Sequence, residues 1–164
     1  MDKLWAPWRA QYITAKKQKG CIFCLAFKAG KNKYVIARNR FAFAMLNTFP
    51  YNNGHIMIAP LRHTAEISSL KKEEILGMFS LLSETKRLLK EVLNAQGYNI
   101  GINISDIAGA GVKGHLHMHI VPRWKGDTNF MPVLYGTKIV SQSLGELYKR
   151  LKDAKSKTDK RIRR

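Results

Sequence analysis

Apolar residues alternate, cluster and then recur every three to four positions along this chain, and those rhythms lay out its elements. Two apolar runs, 34–37 and 41–46, flank Arg38-Asn39-Arg40, which predicts a β-hairpin. A turn-rich stretch, 47–54, carries Pro50 and Asn52-Asn53-Gly54 and leads into a third strand at 55–59, ended by Pro60. From 72 to 96 the spacing of Ile75, Met78, Phe79, Leu82, Leu89, Val92 and Leu93 predicts one long helix. Glu73 and Glu74 favour its first turn and Gly97 its stop. Strand patterning returns at 98–104 and 115–121, on either side of a glycine-rich loop at 106–114. These elements predict an α+β domain with a mainly antiparallel, five-stranded sheet and one long helix.

A chain of 164 residues with 45% hydrophobic content suffices for one domain with a real core. The expected division is an N-terminal arm at 1–19, a folded domain at 20–148 and a basic tail at 149–164 that frays from a partly helical pattern. The arm holds Trp5, Trp8, Tyr12 and Ile13 among basic residues. No apolar run is long enough to span a membrane, and the first residues lack a signal-peptide core, so no membrane partner is expected. Two cysteines, Cys21-x-x-Cys24, make no disulfide framework and fit a cytoplasmic, reducing compartment. The net charge of +18 implies attraction to polyanions, either nucleic acid or substrates with several phosphates. No aromatic residues interleave with the tail's cations as in a single-strand binder, and a solvated basic surface explains the charge equally well.

The chemistry concentrates in His115-Leu116-His117-Met118-His119. On a strand, three imidazoles at alternate positions project from one face while Leu116, Met118 and Ile120 face a core. A purification tag would be a terminal run of consecutive histidines, so this is not one. Neutral imidazole is a nucleophile, a proton carrier and a metal ligand near neutral pH. The preceding loop, Ala108-Gly109-Ala110-Gly111-Val112-Lys113-Gly114, has the glycines of a backbone nest for phosphate oxygens. Attack by a histidine on a phosphorus atom needs an unprotonated nitrogen, a held second nitrogen and fixed positive groups around the phosphoryl oxygens. His117, in the middle, is the expected nucleophile, and His55, on another strand, is the candidate fourth imidazole.

The alternating triad, together with Asn53-Gly54-His55-Ile56-Met57-Ile58 and Arg62-His63, resembles the histidine triad (HIT) superfamily over about residues 20–135. The resemblance implies an α/β-meander homodimer that binds a nucleotide substrate and transfers its nucleoside monophosphate through a covalent histidine, with no organic cofactor. It implies His117 as nucleophile, His55 and His119 as its catalytic companions, and His115 and His119 around the phosphate. Asn103 and Gly111 are implied at the α-phosphate, and Asn47 near the ribose. Leu4-Trp5-Ala6-Pro7-Trp8-Arg9 and the stretch opening Pro122-Arg123-Trp124-Lys125-Gly126-Asp127 are similar to the prokaryotic diadenosine tetraphosphate phosphorylase-like branch, which implies Trp124 at the nucleotide. Many HIT hydrolases carry Gln then Ser or Thr before the triad, where this chain has Gly111-Val112. That departure favours phosphate slightly over water as acceptor in cleavage of dinucleoside polyphosphates. For Cys21 and Cys24 the residues alone leave two buried thiols open. Some family members bind zinc through such a pair, which implies a structural zinc held by Cys21, Cys24, His63 and His115. The rival from another class is a nucleic-acid-binding protein acting on adenylylated DNA or RNA ends. A metal-storage protein would leave the glycine-rich loop and Lys113 unexplained.

Overall fold

Why the strands read as apolar runs rather than clean alternation becomes plain once both faces of the sheet are seen to be covered. The computed structural model describes residues 20–28, 34–127 and 142–162. The expected arm at 1–19 and the branch-specific residues beyond 127 lie outside them. Helix α1 is Ile22–Lys28; strands β1, β2 and β3 are Val35–Arg38, Ala42–Leu46 and Ile56–Pro60. Helix α2 is Lys72–Leu93, strands β4 and β5 are Gly97–Ile102 and Met118–Arg123, and helix α3 is Leu144–Ile162. The five strands form one sheet in the order β1-β2-β3-β5-β4, every pair antiparallel.

Strand register sorts the side chains. Ala42, Ala44 and Leu46 of β2, Ile56 and Ile58 of β3, and Met118 and Ile120 of β5 pack with Met78, Leu81, Leu88 and Leu89 of α2. Phe43, Met45, Met57 and Ala59 face the other way and pack with Phe23 and Ala26 of α1. Because Met57 stands opposite His119, that imidazole shares the α1 face.

Four expectations change. The last strand begins at Met118 rather than 115, because Leu116 N–H is taken by the Thr64 carbonyl at 2.6 Å before regular pairing starts. Helix α2 stops at Asn94, left-handed at φ 50°, a conformation asparagine tolerates, and Gly97 opens β4 instead. Its buried stripe runs through Met78, Leu81, Leu88 and Leu89, leaving Ile75, Leu76 and Phe79 exposed on this single chain. Finally, α3 runs straight across the boundary expected at 148/149. Leu147, Leu151 and Ala154 recur along one side of the helix and are buried against the body, so at least the first half of the supposed tail belongs to the core. Tyr148 Oη and Lys152 Nζ donate to the Val35 and Ile36 carbonyls, which occupies acceptors on the outer edge strand β1. Among the described residues no helix is long and apolar enough to cross a membrane.

Candidate functional site

The α1 face of the sheet carries the histidines, and their hydrogen bonds determine where each proton sits. His55 follows Gly54, whose φ of +79° and close neighbours exclude a side chain: a Cβ there would lie 2.6 Å from Leu93 Cδ1. Asn47 Oδ1 accepts Phe49 N–H at 2.9 Å, which orients the amide so that its Nδ2 donates to His55 Nδ1 at 3.3 Å. Tyr51 N–H donates to the same Nδ1 at 3.1 Å. Since His55 Nδ1 accepts, its neutral ring carries the proton on Nε2, which donates to His119 Nδ1 at 2.8 Å. The His119 proton therefore sits on Nε2, a buried nitrogen with no partner. A buried polar group left in that state calls for an explanation.

His117 is arranged in the opposite sense. Its Nδ1 lies 2.9 Å from the His115 carbonyl, which can only accept, so the ring holds its proton there and keeps a lone pair on Nε2. Phe23 packs against the His117 ring at 4.8 Å between centroids, and His119 stands 4.9 Å from it on a near-perpendicular plane. Burial lowers the pKa of His117, the hydrogen bond to the His115 carbonyl partly opposing it. Burial lowers His55 to about 3, with the neighbouring His119 and His117 adding to the effect. His119 is lowered to about 4, again first by burial and then by His117. The cluster is thus neutral at physiological pH, one lone pair and one N–H donor side by side.

Next to it lies a second cluster. Cys21, Cys24, His63 and His115 bring one ligand atom each to within 4.8 Å of one another. His115 Nε2 donates to the Pro60 carbonyl at 2.9 Å, which leaves Nδ1 unprotonated and facing the sulfurs. That Nδ1 is 3.4 Å from Cys21 Sγ and 3.6 Å from Cys24 Sγ, and His63 Nδ1 is 3.3 Å from Cys24 Sγ. A tetrahedral zinc with ordinary bond lengths separates sulfur and nitrogen ligands by roughly 3.5 Å. The donor set, the spacing and the held tautomer all fit that ion.

Of the residues expected at the site, His55, His117, His119 and Asn47 are brought together. Asn103 lies just past β4, two residues beyond Gly101, which stands opposite His119. A Cβ on Gly111 would meet nothing within 4 Å, so the space beside it is open. His115, expected both at the phosphate and on the metal, presents Nδ1 to the thiols and Nε2 to the Pro60 carbonyl. Trp124 is not brought to the histidines. It lies an odd number of residues from His119 along the strand direction, packs on the helix-side core, and donates its indole N–H to the Leu93 carbonyl at 3.0 Å. Lys113 pairs with Asp106 at 2.5 Å on the exposed loop. Sequence reasoning overlooked Phe23 and Tyr51, whose only linear signals are an aromatic inside Cys-x-x-Cys and one near Gly54-His55.

Comparison with known proteins agrees with this geometry. The family model described as HIT domain matches residues 28–126. A protein named AP-4-A phosphorylase, from Mycobacterium tuberculosis, is 32% identical over 154 residues, spanning 88% of this chain and 79% of that protein. An asymmetrical bis(5'-nucleosyl)-tetraphosphatase from Schizosaccharomyces pombe is 30% identical over 62% of this chain and 55% of its own length. Among solved structures, a Zn-bound histidine triad family protein from Mycobacterium smegmatis superposes with a TM-score of 0.70 at 26% identity. That match covers 86% of this chain and 96% of the other.

Proposed function

Because this chain belongs to the HIT domain family, we propose that it cleaves dinucleoside polyphosphates of the diadenosine tetraphosphate type by nucleotidyl transfer through His117. The observation that carries the reading is the pairing of a free His117 Nε2 lone pair with the unpartnered Nε2–H of His119. In the first step His117 Nε2 forms a bond to the α-phosphorus while the bond to the bridging oxygen breaks. The electron pair leaves with that oxygen as a polyphosphate anion, which receives a hydrogen bond from His119 Nε2–H. The His117 ring becomes cationic, and the His115 carbonyl on its Nδ1–H stabilises that charge. His55 keeps His119 in the donating tautomer. In the second step an acceptor attacks the same phosphorus and the N–P bond breaks, restoring neutral His117. An inorganic phosphate dianion attacks without shedding a proton, and the open space beside Gly111 supports phosphate over water.

Asn47, Asn103 and the Gly111 backbone complete the proposed nucleotide contacts. A zinc ion held by Cys21, Cys24, His63 and His115 would be closed to substrate and structural, tying α1 to the segment that presents His117. A reducing cytoplasm suits those thiols. Exposed Ile75, Leu76 and Phe79 on α2, and exposed Ile100 on edge strand β4, are surfaces that a second copy of the chain would cover in a homodimer. The charge of +18 favours capture of polyanionic substrates.

The test is product analysis with diadenosine tetraphosphate, with and without phosphate. Expected products are ADP and ATP with phosphate, and no turnover in His117→Ala with nucleotide binding retained. AMP and ATP at saturating phosphate would assign water as acceptor. A His117→Ala rate within a few-fold of wild type would overturn the nucleophile.

A further inference from the structure

Resting on that reading of the site, we infer that Tyr51 is the stacking platform for the base of the leaving nucleotide, and so selects substrates that carry a nucleoside at both ends. The argument is positional. Ring centroids run from Phe23 to His117 at 4.8 Å, from His117 to His119 at 4.9 Å, and from His119 to Tyr51 at 5.7 Å. Displacement at phosphorus keeps the attacking and departing atoms roughly in line. With His117 attacking and His119 hydrogen-bonded to the departing oxygen, the leaving group exits on the side where Tyr51 stands.

The ring is set for stacking. It lies 4.5 Å from His55 and is tilted by 37° to it and 33° to His119, so one face covers the imidazole pair. The residue is 53% exposed, which turns the rest of the ring to solvent beside a buried site. Its hydroxyl has no hydrogen-bond partner among the described residues, so the flat ring and not the polar tip is what the site uses. The platform is held before substrate arrives: Tyr51 N–H is bound to His55 Nδ1 at 3.1 Å, and Asn47 N–H to the His55 carbonyl at 2.9 Å. A second exposed aromatic, Phe49, lies on the same loop. Stacking on an aromatic face tolerates any base, so the selection is for the presence of a second nucleoside rather than its identity.

The experiment compares diadenosine tetraphosphate with adenosine 5'-tetraphosphate, which has the same phosphate chain and no second base. Wild type should prefer the dinucleotide by roughly tenfold in kcat/KM, the size of one base–aromatic stack. Tyr51→Ala should erase that preference, the dinucleotide losing roughly tenfold more kcat/KM than the mononucleotide. Tyr51→Phe and Tyr51→Trp should restore it. Equal kcat/KM for the two substrates in wild type would overturn the inference, as would Tyr51→Ala slowing both alike, which would make the ring a support for the histidines. If wild type turns over neither compound, the cleavage reading fails, and equilibrium binding of the two nucleotides to wild type and Tyr51→Ala still decides the platform: equal affinities would refute it.

Discussion

Lowering the pH from 7.5 to 5 asks His55 and His119 to take up protons where neither can be solvated. His55 is fully buried and His119 nearly so, and their pKa values are pushed down to about 3 and about 4 from the ordinary 6.5. At pH 5 both stay neutral in the folded chain while both are protonated in the unfolded chain, which therefore binds more protons. Stability from this source is fully present above 6.5 and is lost as pH falls toward the folded values. At pH 5 the loss depends on the distance below 6.5 and scarcely on how far the folded values lie beneath 5. One and a half units at about 1.36 kcal/mol each give about 2 kcal/mol per histidine, or about 4 kcal/mol for the pair. Against a typical 5–15 kcal/mol for a whole domain, about a quarter or more of the stability is at stake. The assay is urea unfolding at pH 7.5 and 5.0, at fixed salt, for wild type and His55→Asn/His119→Asn. Carboxylates and the other three histidines are common to both proteins, so the difference between the two pH effects isolates the pair. Wild type should lose about 4 kcal/mol more than the double variant. Equal losses would show that these imidazoles are not held neutral by burial, and would remove the proton assignment on which His119 acts as a donor.

Elemental analysis of protein purified without added metal should find about one zinc per chain, and Cys24→Ser should lose it and lower the melting temperature more than it alters single-turnover cleavage. Metal-free protein with both thiols freely titratable and unchanged stability would leave the Cys21/Cys24/His63/His115 cluster without a ligand. Leu151 is fully buried at the contact of α3 with the body, so Leu151→Ala should cost about 2–5 kcal/mol in urea unfolding. Deletion beyond residue 149 should unfold the chain or lower its stability by at least as much. A Leu151→Ala loss below about 0.5 kcal/mol, the range of an ordinary surface change, would return α3 to the status of a solvated tail.

What the linear pattern carried was local. Alternation at Leu116, Met118 and Ile120 told which way the triad faces, because side chains on an extended chain alternate with a period of two wherever pairing begins. The spacing of Ile75 to Leu93 told that a helix exists, though not which stripe is buried, since Leu81 and Leu88 are apolar neighbours of the same stretch and only the packed sheet chose between them. Charge obscured α3: three buried apolar positions, Leu147, Leu151 and Ala154, were outnumbered by lysines and arginines that the helix turns outward. The tertiary structure alone decided the chemistry of the rings. An imidazole has two nitrogens and one proton when neutral, and the partner that assigns it is a backbone atom remote in sequence or set by a loop: the Pro60 carbonyl for His115, the Tyr51 N–H for His55. The same holds for Trp124, whose indole went to the Leu93 carbonyl because the strand's parity turned it away from the histidine face. Residue identity and spacing can nominate a nucleophile; which of its nitrogens is free depends on where the chain folds back.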